Sequence, residues 1–148
     1  MSQRRYLKPG VWTRMFNTLP SVLARLGISV YGSRVLAVRG RSSGEWRAVP
    51  VNLLEVGAAR YLLAPRGETQ WVRNLRARSG GELRLGTRVE SFRAVEVRDD
   101  LKPPILRAYL KKWEFEVKMF FDGVGPDATD ADLRRIAPGY PTFLIDPT

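Results

Sequence analysis

The chain contains no histidine and no cysteine among its 148 residues. The first absence removes the side chain most often used to move protons near neutral pH, and the second removes thiol attack and disulfides. Without either residue a zinc centre of the usual kind is also excluded. Difficult chemistry therefore falls to a bound cofactor. Long apolar runs are missing too: no stretch approaches the ~20 residues that span a bilayer, and the N-terminus lacks a compact hydrophobic signal followed by a small-residue cleavage site. The expectation is a cytoplasmic protein.

Acidic residues are in short supply, 15 against 25 Lys and Arg, for a formal charge of +10. Such a surface calls for an anionic partner: nucleic acid, anionic lipid or a phosphate-bearing small molecule. The basic residues are spread from Arg4 to Arg135, and no helix-turn-helix, zinc-finger or RNP-type pattern is present. Nucleic acid is accordingly not expected as a partner. The length suits one domain with a real core.

Residues 1–28 form a basic amphipathic segment, with Val11, Trp12, Met15, Phe16, Leu19, Val22, Leu23 and Leu26 at helical spacing and a break at Pro20. Packing of this stripe on the domain is favoured over contact of residues 1–26 with a membrane surface. Residues 29–148 read as a second unit. Strands are expected at 34–39, 46–56 and 60–64, joined by the turns at Gly40–Gly44 and Gly57-Ala58 into an antiparallel meander. A helix over 69–78 stops at Ser79-Gly80-Gly81, and the alternation from Glu82 to Val97, broken at Gly86-Thr87, gives two strands or one bent one. Pro103-Pro104 opens another helix, and the stretch 115–121 reads equally as helix or extended chain. Asp127 or Thr129 caps a short helix over 130–137, before a last strand at 142–145. Five or six strands without a strand-helix rhythm imply an α+β antiparallel barrel.

Three arginines stand beside glycine turns: Arg41 and Arg47 around Gly40-Arg41-Ser42-Ser43-Gly44, and Arg66 in Pro65-Arg66-Gly67. Guanidinium forks and turn amides that converge on one barrel rim would grip a phosphate; a polar hairpin loop with exposed arginines is the ordinary alternative. Trp71 and Asn74 share a face of the following helix. Trp71 suits a partly buried position, and Asn74 can cap, bridge or hold a ligand. No Gly-x-Gly-x-x-Gly or Walker-type loop occurs, and no calcium-loop pattern, so a metal site is not expected. Tyr140, between Gly139 and Pro141, suits either a proton donor or a packing tyrosine.

The ordered set Gly40-Arg41-Ser42-Ser43-Gly44, Arg47, Pro50, then Leu63-Ala64-Pro65-Arg66-Gly67, then Trp71-Val72-Arg73-Asn74-Leu75-Arg76-Ala77 resembles the deazaflavin-dependent nitroreductase family of split β-barrel proteins, found chiefly in actinobacteria. The closing Ala137-Pro138, Tyr140-Pro141 and Phe143 extend the likeness, over roughly residues 30–146. The resemblance implies coenzyme F420, a deazaflavin with a phosphodiester and a poly-glutamate tail, and a fold of the split-barrel kind. It implies that Arg41, Ser42, Ser43 and Arg47 meet the phosphate, with Arg66 and Gly67 completing the grip. Pro50 and Val51 would lie along the ring system, and Trp71 and Asn74 would border it. Where a common family member has lysine this chain has Ser42, which makes one phosphate contact neutral. Hydride would pass to a small electron-poor acceptor such as a quinone, a nitroaromatic or an unsaturated lactone, with Tyr140 as the acceptor-side group. In some relatives the N-terminal segment meets membrane, and Trp12, Phe16 and Leu19 would insert here. The alternatives are an FMN-dependent or flavin-binding split barrel, and a non-enzymatic binder of an anionic ligand or lipid. Oligomeric state is left open.

Overall fold

The computed structural model describes residues 32–117, 121 and 124–148, with backbone alone over 114–117. The amphipathic segment of residues 1–28 and its membrane contact lie outside the described residues. Six strands form a closed antiparallel barrel: β1 (Ser33–Arg39), β2 (Trp46–Val56), β3 (Ala59–Leu63), β4 (Gly80–Leu85), β5 (Arg88–Glu96) and β6 (Thr142–Pro147), in the spatial order β1-β2-β3-β6-β5-β4. Among the described residues three α-helices flank it, α1 (Gln70–Arg78), α2 (Pro103–Val117) and α3 (Asp130–Ile136). This is the α+β split-barrel class expected from the strand count, and the break at Gly86-Thr87 separates two distinct strands.

Alternation fills the barrel. Leu36 and Val38 of β1, Leu53 of β2, Leu62 of β3 and Phe143 of β6 point inward and pack with Leu83, Phe92 and Ile145. Val72 and Leu75 of α1 close one end of this core. The β4–β1 seam requires a close approach: a Cβ on Gly81 would lie 2.6 Å from the Ala37 carbonyl oxygen. Gly80 and Gly81 thus serve strand contact rather than the helix stop expected of them. Ser79 makes that stop itself, in the left-handed region (φ 58°), donating its N–H to Leu75 O at 2.7 Å.

A second core lies outside the barrel. Leu54 and Leu63 meet Ile105, Leu106, Tyr109, Leu110 and Trp113 of α2 and Leu133 and Ile136 of α3. The region whose secondary structure was ambiguous is helical as far as Val117, with a kink at Trp113 (φ −126°, ψ 20°). Thr129 caps α3, its hydroxyl accepting the Asp132 N–H at 3.1 Å. At the barrel end away from α1, Arg60 grips Glu90 with two bonds of 2.9 and 2.6 Å. That fork holds the Glu90 carboxyl below its ordinary range, although burial opposes it.

Candidate cofactor site

The β1–β2 hairpin turns over residues 40–45. Gly40 N–H donates to Glu45 O at 2.7 Å and Gly44 N–H to Gly40 O at 2.9 Å, while the Ser43 hydroxyl accepts from Glu45 N–H at 3.1 Å. A Cβ at Gly40 would lie 2.8 Å from Ser43 Oγ, so a side chain there would displace the hydroxyl that accepts from Glu45 N–H. Ser43 is thereby engaged in shaping the loop, and Ser42 is exposed at its tip.

Helix α1 lies against this hairpin through a polar stripe. Gln70, Asn74 and Arg78 recur every four residues and so share a face, while Val72 and Leu75 turn to the barrel core. Asn74, 5% exposed, accepts at Oδ1 from both the Arg41 backbone N–H (3.0 Å) and Arg41 Nη1 (2.8 Å). The same guanidinium nitrogen donates to Gln70 Oε1 at 3.0 Å, and Arg78 Nη2 donates to Gly40 O at 2.8 Å. The hairpin is therefore fastened to the helix at three points along its stripe. Arg47 stands opposite Val38, on the inward side of β2 but at the open rim, where its Nη2 lies 3.6 Å from Glu45 Oε2. Arg41 and Arg47 thus flank Gly40.

The second loop, residues 64–69, leads directly into the same helix. Ala64 N–H bonds Pro141 O at 2.9 Å, Gly67 N–H returns to Ala64 O at 3.1 Å, and Gly67 takes φ 85°, a conformation that favours glycine. Arg66 is half-buried. Glu68 is buried and accepts with both carboxylate oxygens from Arg76 Nη1 (2.8 and 2.6 Å), while Arg76 Nε and Nη2 hold Glu96 at 2.8 and 2.7 Å. The bonds to Glu96, and after them those to Glu68, raise the Arg76 pKa against the opposing effect of burial. Thr69 then takes the N-cap position, yet its Oγ1 is the one buried side-chain oxygen or nitrogen without a hydrogen-bond partner among the described residues.

Of the residues singled out from sequence, the fold brings Arg41, Ser42, Ser43, Arg47 and Asn74 to one hairpin–helix junction. Arg66 and Gly67 lie four and three residues before Gln70, which touches Arg41. Trp71 is half-buried, its ring 6.1 Å from that of Phe143. Pro50 and Val51 are half-buried farther along β2, opposite Val35 and Arg34, and their side chains point to opposite faces of the strand. Tyr140 stands apart: it is 2% exposed and stacked on Phe121 at 4.3 Å within the α2–α3 core. Its ring has the packing role. Gln70, Thr69, Arg76 and Arg78 were not singled out, although the four-residue spacing of Gln70, Asn74 and Arg78 was visible in the sequence.

The Arg41 and Arg47 guanidinium groups lie at the rim, the Gly40, Gly44 and Gly67 amides are taken up within their own turns, and an unpaired buried hydroxyl opens the helix beside them. A separate surface depression of about 350 Å³, lined by residues including Pro103, Arg107, Lys111 and Arg134, shares no residue with this rim.

Comparison with known proteins adds a second line. Residues 14–116 match the family described as F420H(2)-dependent quinone reductase. Among solved structures, an F420-H2 dependent reductase, FDR-A, superposes with a TM-score of 0.56 at 15% identity, covering 78% of this chain and 94% of its own. A domain-swapped dimer gives 0.58 at 15% identity, covering 91% and 97%. A putative pyridoxamine 5'-phosphate oxidase from Listeria innocua gives 0.53 at 14% identity, covering 78% and 83%. At these identities the likeness establishes the split-barrel fold alone. No curated protein matches the sequence.

Proposed function

The chain belongs to the F420H(2)-dependent quinone reductase family and is an F420-dependent reductase, and from that premise we propose that it delivers a hydride to a quinone at the rim between the β1–β2 hairpin and α1. When bound, reduced F420 supplies the hydride. The chain's part is to bind, orient and exclude water. Arg47 and Arg66 would hold the anionic tail, and Arg41, laid along α1 by Gln70 and Asn74, would set the hairpin so that both loops serve one ligand. Backbone groups of Pro50 and Val51, with Trp71, would hold the head of the cofactor. The proton that completes quinone reduction comes from solvent, since the chain has no histidine and Tyr140 is buried.

The observation that carries this reading is the bond from Arg41 Nη1 to Gln70 Oε1, which joins the two glycine-turn loops through the first turn of α1. The residues present fit the cofactor on chemical grounds: an excess of guanidinium donors for a phosphodiester, and an orphaned buried hydroxyl at the helix start.

Fluorescence titration of the protein with F420, FMN and duplex DNA tests the binding, followed by oxidation of reduced F420 in the presence of a naphthoquinone or a nitroaromatic. The expected result is saturable binding of F420 in preference to FMN, and turnover with the quinone. Preference for FMN, or binding to DNA alone with a steep salt dependence, would overturn it.

A further inference from the structure

Among the described residues two threonines occupy α-helix N-cap positions and behave differently. At α3 the Thr129 hydroxyl accepts the Asp132 N–H at 3.1 Å. At α1 Thr69 has the same extended backbone (φ −73°, ψ 172°), yet its hydroxyl accepts from no amide of the helix. It is 7% exposed, and its Oγ1 has no partner. A buried hydroxyl left without a protein partner is unfavourable unless a bound group completes it.

The turn that follows is equally open. The first helical bond runs from Arg73 N–H to Thr69 O at 3.2 Å, which leaves the amides of Gln70, Trp71 and Val72 beyond reach of any helical carbonyl. No acidic residue lies in this first turn. Glu68, immediately before Thr69, has both oxygens turned onto Arg76. The Thr69 N–H is taken up by Gly67 O at 2.8 Å, which tightens the bend leading into the helix. Arg41 adds a cation at the same turn through its bond to Gln70. Helix α1 has nine residues, enough to present a directed dipole at its start.

We propose that Thr69 Oγ1 and the first-turn amides of α1 form a seat for a negatively charged or strongly accepting oxygen of F420, with the threonine hydroxyl as donor. The proposal rests on the F420 reading above and adds a specific contact to it. Two oxygens of the cofactor have the required chemistry, one in the tail phosphodiester and one on the pyrimidine edge of the ring. Either would complete the hydroxyl and align with the positive end of the helix.

The test uses Thr69→Val and Thr69→Ser in the full chain, with three readouts: affinity for F420, affinity for the deazaflavin chromophore lacking the phosphate tail, and thermal midpoint without cofactor. Since the hydroxyl bonds nothing in the protein, Thr69→Val should leave the midpoint unchanged or raise it. Affinity for F420 should fall about tenfold or more, as for loss of a bond to a charged group, and Thr69→Ser should recover most of it. A loss confined to F420 assigns the seat to the phosphate; an equal loss on the tail-free chromophore assigns it to the ring oxygen. Unchanged affinity in Thr69→Val would overturn the proposal, as would a lost affinity accompanied by a lowered midpoint. A wild-type chain indifferent to F420 would sink the cofactor assignment itself, whereas wild-type binding with an indifferent valine variant sinks the seat alone.

Discussion

Asn74 Oδ1 accepts two hydrogen bonds from one residue, the Arg41 backbone N–H at 3.0 Å and the Arg41 guanidinium at 2.8 Å. A single buried oxygen thus fixes both where the hairpin tip sits and where its first cation points. Replacing Asn74 with alanine should strand the Arg41 amide in a half-buried setting and cost about 1–3 kcal/mol in urea unfolding. F420 affinity should fall with it, because the hairpin would no longer be registered on α1. Retained affinity at reduced stability would separate the lock from the cofactor site.

Arg47 and Arg66 are the cations whose loss should be felt by the ligand most directly. Alanine at either should weaken F420 binding by about tenfold or more. Changing Arg4 and Arg5, outside the described residues, should have a far smaller effect that vanishes as salt is raised. Equal losses from the two pairs in side-by-side titrations would point to diffuse electrostatics instead of a defined rim.

Arg76 holds Glu68 and Glu96 at once, and Glu68 is almost wholly buried. Arg76→Met should take from the buried Glu68 carboxylate the guanidinium that both its oxygens accept from, and lower stability by roughly 2–4 kcal/mol. Adding Glu68→Gln to that variant should return part of the loss, since the buried charge is then removed. A chemical-denaturation series on the two single variants and the double variant measures the coupling. Strict additivity would mean that the fork contributes nothing.

Arg60 depresses the Glu90 pKa from its ordinary value of 4.5. A carboxyl with a lowered folded pKa contributes stability that is fully present above its unfolded value and is lost as pH falls through the folded value. Thermal midpoints should therefore decline as the pH drops below about 4.5, and Glu90→Gln should show a shallower decline over that interval. The gap between variant and wild type should be widest at neutral pH. The effect should be modest, because the Glu90 side chain is 42% exposed. Parallel acid limbs for the two proteins would refute the pairing.

Much of the barrel was legible in the chain because strand and helix signals are local. Residues 34–39 and 46–56 alternate and are bounded by glycine turns, and the strands formed over Ser33–Arg39 and Trp46–Val56. The Gly40–Gly44 and Pro65–Gly67 turns were likewise apparent from residue type. Tyr140 shows the other side: a tyrosine between glycine and proline reads the same whether it lines a site or a core. Only the arrival of Phe121 against its ring made it a core residue. Gly80 and Gly81 also read as a helix stop until β1 and β5 came within touching distance of them.

By itself, the sequence determined the type and order of most elements, the cationic excess and the set of residue types available for binding, since each follows from composition or from neighbours a few positions away. The tertiary structure decided which of those residues meet. Arg41 and Asn74 are separated by 33 positions, Leu62 pairs with Phe143 across the β3–β6 seam, and the Thr69 hydroxyl is left unpaired by the described residues packed around it. Burial and partnership depend on chain segments distant in sequence, so local pattern could place the side chains on their elements without saying what each would touch.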